Sequence, residues 1–202
     1  MADVTRRPTS NVLTTNWSYY GGGYYQAIDE TTPNDGTDYV WLSYYYSVPG
    51  SPVYYTSSYG FSSFNIPTGS TSISLTLYER IYFYFDCSEP NYNTYLAIRI
   101  GSTYYYSSAI SHSSASWATY NRTWSTNPAT SSAWTSSSID TINAIGFRGS
   151  HYYYLDPKLG PSNSYHRFST LWAVVTYTPP SSSNYAFAGL GVLVGGNSAS
   201  IG

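Results

Sequence analysis

Charge is what this chain has least of: 8 basic and 10 acidic side chains make 9% of 202 residues, where an ordinary soluble domain is about a quarter charged. The basic residues, Arg6, Arg7, Arg80, Arg99, Arg122, Arg148, Lys158 and Arg167, are scattered, and the formal net charge is −2. Neighbours in sequence therefore assemble no phosphate-tracking stripe and no polybasic membrane patch, which argues against nucleic acid as a partner. Cys87 stands alone, so no intramolecular disulfide can staple the fold and stability must come from packing and backbone pairing. No apolar run reaches the roughly 20 residues that a spanning helix needs, so membrane insertion is not expected. None follows the polar stretch Met1 to Ser10 either, so a general secretory signal is not expected.

Signatures of catalysis are equally scarce. The available bases, His112, His151 and His166, lie in Ser- and Tyr-rich stretches that read as loops, and no nucleophile elbow or phosphate-cradling glycine loop accompanies them. Three histidines and one cysteine at wide separations give no zinc spacing. Paired carboxylates for glycoside hydrolysis are poorly supplied, since Asp29 and Glu30 are adjacent and diverge in a strand. The expectation is a protein that is not an enzyme and needs no cofactor. One acidic cluster allows an exception: Asp29, Asp35 and Asp38, with Glu30, Asn34 and Gly36 among them, could supply oxygen ligands to calcium. The same residues read as a turn, because Asn-Asp-Gly favours one and Asp bonds its own backbone there.

In place of charge the chain carries hydroxyls: 35 Ser, 22 Thr and 26 Tyr make 83 of its 202 residues. Tyrosine joins a large rigid apolar ring to a hydrogen-bonding tip and is enriched at surfaces that become buried in contacts. Runs of alternating apolar residues, broken by Gly, Pro, Asn and Ser, recur along the chain, the all-β pattern of an antiparallel sandwich. In the clearest strand, Ser72 to Asp86, Ile73, Leu75, Leu77, Ile81 and Phe83 share the core face, with Tyr78, Arg80 and Tyr82 on the other. That phase also turns Glu79 inward, so either a bulge re-registers this strand or Glu79 is buried with a partner such as Arg148. Tyr95 to Gly101 points Leu96 and Ile98 inward, with Ile100, and Ala97 and Arg99 outward; Ser102 to Tyr106 returns as its hairpin mate. Further strands are expected at Tyr39 to Tyr46, Val53 to Tyr55, Trp117 to Tyr120, Ile145 to Arg148 and Phe168 to Tyr177. The last, with Leu171 and Val175 in the core and both faces apolar, reads as central. Ser136 to Ala144 is the only helical candidate, with Ser136 or Ser137 as N-cap.

Pro179, Pro180 and the following serines close the body, residues 1–180, and open a Ser/Gly-rich tail, residues 181–202. Within the tail, Tyr185 to Gly196 is uncharged. It places Leu190, Val192 and Val194 on one strand face, and with Tyr185 and Phe187 these form a candidate assembly strand. Such a segment suits donation to a neighbour's sheet and is an aggregation hazard when left bare. It also suits closure of its own sheet, and both alternatives stand. The tyrosines cluster at Tyr19-Tyr20, Tyr24-Tyr25, Tyr44 to Tyr46, Tyr54-Tyr55, Tyr104 to Tyr106 and Tyr152 to Tyr154. Consecutive residues of a strand face opposite ways, so some of these rings face outward. Their spread along the chain favours contacts between subunits over one sugar pocket, which needs converging polar groups.

Ile28-Asp29-Glu30 followed by Pro33-Asn34-Asp35-Gly36-Thr37-Asp38-Tyr39-Val40, then Phe61 to Ser70 leading into the long strand, resembles a β-sandwich domain of phage and archaeal virus virion proteins. Trp124 to Thr130 and Ala133-Trp134-Thr135, ahead of Ile139 to Gly146, extend the resemblance over about residues 1–178. It implies a single jelly-roll-like domain without catalytic residues, with a structural role at a virion surface or in an extracellular fibre. The expectation is a self-assembling subunit whose partners are copies of itself, with other virion proteins or surface glycans as further candidates. A carbohydrate-binding attachment module is the alternative.

Overall fold

The computed structural model describes residues 1–42, 53–85, 92–112, 115–151, 154–156, 160–162 and 164–181. In chain order the first strands are β1 (Ala2–Arg6), β2 (Ser10–Leu13), β3 (Trp17–Tyr20), β4 (Tyr39–Leu42), β5 (Val53–Gly60), β6 (Thr71–Phe85), β7 (Tyr92–Ile100) and β8 (Thr103–Tyr106). There follow β9 (Ile110–His112), β10 (Trp117–Trp124), β11 (Thr126–Asn127), β12 (Ser132–Ala133), the helix α1 (Ser136–Ile139), β13 (Ile142–His151), β14 (Tyr154–Asp156), β15 (Gly160–Ser162) and β16 (Ser164–Thr178). Sheet A has the order β10-β6-β16-β4-β3, with β1 also on β16, and sheet B the order β2-β5-β13-β7-β8, with β9 also on β7. Strand pairs in both sheets are antiparallel.

Count β4, β5, β6, β7, β8, β10, β13 and β16 as first to eighth. Sheet A then runs sixth, third, eighth, first, and sheet B second, seventh, fourth, fifth. This exchange of strands between two sheets is the jelly roll. As an all-β sandwich with one short helix among the described residues, the body has the architecture that its alternating strands implied. The tail residues Tyr185, Phe187, Leu190, Val192 and Val194 lie outside the described residues, as do Cys87 and the tyrosines 44–46, 152 and 153. Among the described residues no helix is long and apolar enough to cross a membrane.

Strand periodicity positions the core. Ile73, Leu75, Leu77, Ile81 and Phe83 of β6, Leu96 and Ile98 of β7, and Leu171 and Val175 of β16 are all buried. Full burial of one such side chain is worth about 1.5–3 kcal/mol. At the centre Phe147 of sheet B stacks on Phe168 of sheet A, centroids 3.6 Å apart and planes 1° from parallel, with Trp17 edge-on to both at 5.0 and 5.6 Å. β16 is central: β6 flanks it along its length, while β4 and β1 share its other side.

Helix holds over a shorter span than the isoleucine spacing suggested. α1 covers Ser136–Ile139, and its cap is Thr135 rather than Ser136 or Ser137. Thr135 Oγ1 accepts the Ser138 N–H at 3.0 Å, and Ser138 Oγ accepts the Thr135 N–H at 2.8 Å. Ile142 and Ile145 belong instead to β13, where a register shift after Ile142 keeps both buried. Branched side chains are at ease in a sheet, and three-residue spacing across a bulge mimics a helical face. Asp140, at the helix C-cap, accepts the Phe64 and Asn65 N–H groups at 2.8 and 3.2 Å and so pins the Phe61 to Ser70 segment.

Candidate functional site

Three polar regions stand out against this frame: a chain of buried groups between the sheets, and the two outer faces.

Inside the sandwich, Glu79 keeps the phase of its strand and is completely buried. The bulge lies elsewhere, at Ser169 of β16, where the register steps from Phe168 opposite Ile81 to Thr170 opposite Arg80. Nor is Arg148 the partner, because Arg148 lies on the outer face of sheet B among tyrosines. Glu79 Oε1 instead accepts the hydroxyl of Thr94, on the facing sheet, at 2.8 Å. With its one proton spent there, Thr94 Oγ1 accepts from His112 Nε2, also at 2.8 Å. Burial pushes the Glu79 carboxyl up to about 7, partly offset by the Thr94 bond and Arg122, and drives His112 down to about 4. The ring of His166 lies 5.8 Å from that of His112. All of these side chains are shut off from solvent, so the hydroxyl, imidazole and carboxyl tie sheet to sheet. The clue in the sequence was phase: Thr94 shares the inward side of its strand with Leu96 and Ile98.

On the outer face of sheet A, the register aligns Trp41, Arg167, Tyr82 and Trp117 in one row across β4, β16, β6 and β10. Arg167 lies over Tyr39 at 4.7 Å and Tyr82 at 5.9 Å, and Tyr82 meets Trp117 at 5.5 Å. A second pair, Tyr78 and Trp172, stacks at 4.8 Å with planes 3° apart, under Arg7 at 5.5 Å.

Between these groups Arg80 grips Asp35: Nε lies 2.8 and 2.9 Å from the two carboxylate oxygens, Nη2 closes the fork, and Ser169 Oγ donates to Oδ1 at 2.9 Å. Asp35 is therefore committed to a guanidinium and does not join Asp29 and Asp38. Asn34 to Thr37 forms the turn, with Gly36 at φ 85°. Asp38 packs where a Cβ on Gly21 would fall, 2.0 Å from Oδ1, at φ 102°, so only glycine fits. Burial first, then the bond to Asp38, raises Glu30 to about 8. Glu30 Oε2 and Asp38 Oδ1 are buried with no hydrogen-bond donor among the described residues. Among the described residues no three His, Cys, Asp or Glu side chains converge to hold a metal ion. Of the calcium candidates Asp29, Asp35 and Asp38, Asp35 thus stands in a turn and an ion pair, apart from the other two.

The outer face of sheet B gathers what the sequence scatters. Tyr104 and Tyr106 of β8 reach over β7 and β13 to bond Ser58 Oγ and Thr56 Oγ1 of β5, at 2.7 and 2.8 Å. Their rings run parallel, 6.3 Å apart and 20° between planes. Ala97 points to this face, yet it is fully buried beneath them; an outward small residue has become the floor of a second apolar layer. Arg148 lies over Tyr54 at 4.4 Å, Tyr106 at 4.8 Å and Tyr95 at 5.9 Å, and Arg99 lies over Tyr104 at 5.7 Å.

Fold and faces together define a class, an all-β jelly roll with aromatic outer surfaces. No protein-family model matches the chain, and no curated protein matches it in sequence. Among solved structures, a chain of the infectious bursal disease virus Gt strain structure is similar over 88% of this chain at 10% identity, with a TM-score of 0.24. This chain spans 60% of that one's length. A likeness of that size carries no argument.

Proposed function

We propose that this protein is a non-enzymatic structural subunit that associates with copies of itself, in a virion, a viral appendage or an extracellular filament. The observation that carries the reading is the row Trp41, Arg167, Tyr82 and Trp117 on sheet A, partly buried and running across the strands to β10. Tyr, Trp and Arg dominate the energy of association when a partner desolvates them, and here they replace the charges that keep most monomers apart. The outer edge of β10 pairs with no strand among the described residues, so it is open to strand addition. The uncharged segment Tyr185 to Val194 has the alternation that a donated strand needs. A donated strand makes a heterologous contact, which builds filaments or lattices when it does not close.

Electron microscopy and sedimentation velocity of the full chain test this. Ordered assemblies are expected, only modestly weakened by salt because Arg167 is the one charge in a contact row otherwise made of aromatic rings. The double variant Tyr82→Ser/Trp117→Ser, and separately removal of residues 181–202, should each abolish them while leaving the β circular dichroism intact. A full-length chain that stays monomeric at micromolar concentration overturns the reading.

A further inference from the structure

Sheet B presents a second, chemically different surface. Its outward side chains include Tyr54, Tyr95, Tyr104 and Tyr106 with Arg99 and Arg148, and no carboxylate stands among the described residues of that face. Two features set it apart from the outer face of sheet A. First, the hydroxyls of Tyr104 and Tyr106 are held by Ser58 and Thr56, strands away. Such rings are tied at both ends across the sheet, and their position is fixed before any ligand arrives. Second, both guanidiniums rest against aromatic rings rather than against acids, so the Arg148 fork and the terminal nitrogens of Arg99, whose Nε is buried, keep their capacity to pair with an anion.

We propose that the outer face of sheet B is a binding site for a carboxylated saccharide: the C–H face of a pyranose lies on the Tyr104 and Tyr106 rings, and its carboxylate is held by Arg148 or Arg99. The fit is one of charge and shape together. A flat electron-rich ring attracts the weakly positive C–H groups of a sugar face, and a guanidinium takes a carboxylate through two parallel hydrogen bonds. In sequence the tyrosine clusters lacked the convergence that a sugar site needs; the order β5-β13-β7-β8 provides it. A second copy of the chain is the poorer occupant, because Asp35 of its acidic loop is paired with Arg80 and the Glu30 Oε2 and Asp38 Oδ1 oxygens are buried. A phosphate polymer is poorer as well, since two arginines neutralise few of its charges.

Calorimetric titration of the full chain with polygalacturonate and with hyaluronate tests the site. Fully methyl-esterified polygalacturonate, polyglutamate and oligo-dT serve as controls. Saturable binding is expected to one of the acidic glycans. Loss of the guanidinium in Arg148→Gln should weaken it at least about tenfold, as should methyl esterification of a polygalacturonate that binds. Arg99→Gln provides a second variant should Arg148→Gln change the thermal midpoint. No binding to either acidic glycan, equal binding of the methyl ester, or binding of polyglutamate or oligo-dT as tight as that of the glycan would each overturn the proposal. Self-association through sheet A does not enter these readouts, so the two ideas fail independently.

Discussion

Replacing Glu79 with glutamine should change how stability depends on pH more than it changes stability itself. Glu79 is fully buried and its carboxyl is raised to about 7, mainly by desolvation, against 4.5 when the chain is unfolded. The folded state therefore binds this proton more tightly than the unfolded state. The resulting stabilisation is fully present below pH 4.5 and is lost as pH rises through 7. Between pH 5 and pH 8.5 the loss amounts to about 2–3 kcal/mol, at roughly 1.4 kcal/mol for each pKa unit. His112 runs the other way: held down to about 4 from 6.5, its contribution is present above 6.5 and lost as pH falls through 4. The two slopes oppose each other, so the natural protein should be nearly flat across this range. Glu79→Gln preserves shape and the acceptor for Thr94 but carries no titrating proton, so the variant should gain stability from pH 5 to 8 as the His112 slope is uncovered. Urea unfolding of both proteins at pH 5, 6, 7 and 8.5 measures this directly. A difference between them that stays constant within about 0.5 kcal/mol, against a total stability of about 5–15 kcal/mol, would refute the burial of an ionisable Glu79.

Two further changes probe the sheets. Gly146→Ala would place a Cβ 2.1 Å from the Ser57 carbonyl oxygen and 2.9 Å from Ser58 Cα. Both are backbone atoms of the neighbouring strand that cannot swing aside, so a loss of about 3 kcal/mol is expected in urea unfolding; an unchanged midpoint would mean that β5 and β13 lie farther apart. Asp35→Asn removes the charge held by Arg80 at a pair whose side chains are each 24% exposed, so solvent screening limits the loss to about 1 kcal/mol. High salt should shrink that difference, and a salt-insensitive loss would assign it to the Ser169 bond instead.

The sheet B site is a proposal about an outer face of the sandwich. Each of its parts also has a structural account: Tyr104 and Tyr106 shield Ala97, and Arg148 covers Tyr54. What those accounts leave over is two guanidiniums without an acid among the described residues of a face that is otherwise neutral. That remainder is what the glycan titration addresses.

Much of the architecture was legible in the order of residues, because a strand's two-residue period is a local property. The alternation of Ile73, Leu75, Leu77, Ile81 and Phe83 determined which side of β6 faces the core, and the scarcity of charge determined that hydroxyls and rings would make the surface. Glu79 was legible as an inward carboxyl for the same reason. Its partner was not, since Thr94 belongs to the opposite sheet and meets it only across the packed interior. Asp35 could be read as part of a turn, but its ion pair with Arg80 depends on a loop folding over sheet A. Ile142 and Ile145 misled because spacing by three fits a helix and a bulged strand alike. The gathering of Tyr54, Tyr95, Tyr104 and Tyr106 around two arginines was decided by tertiary structure alone. Strands distant in sequence become neighbours only through the crossing order of the jelly roll, and that order rests on long-range pairing, which no local pattern encodes.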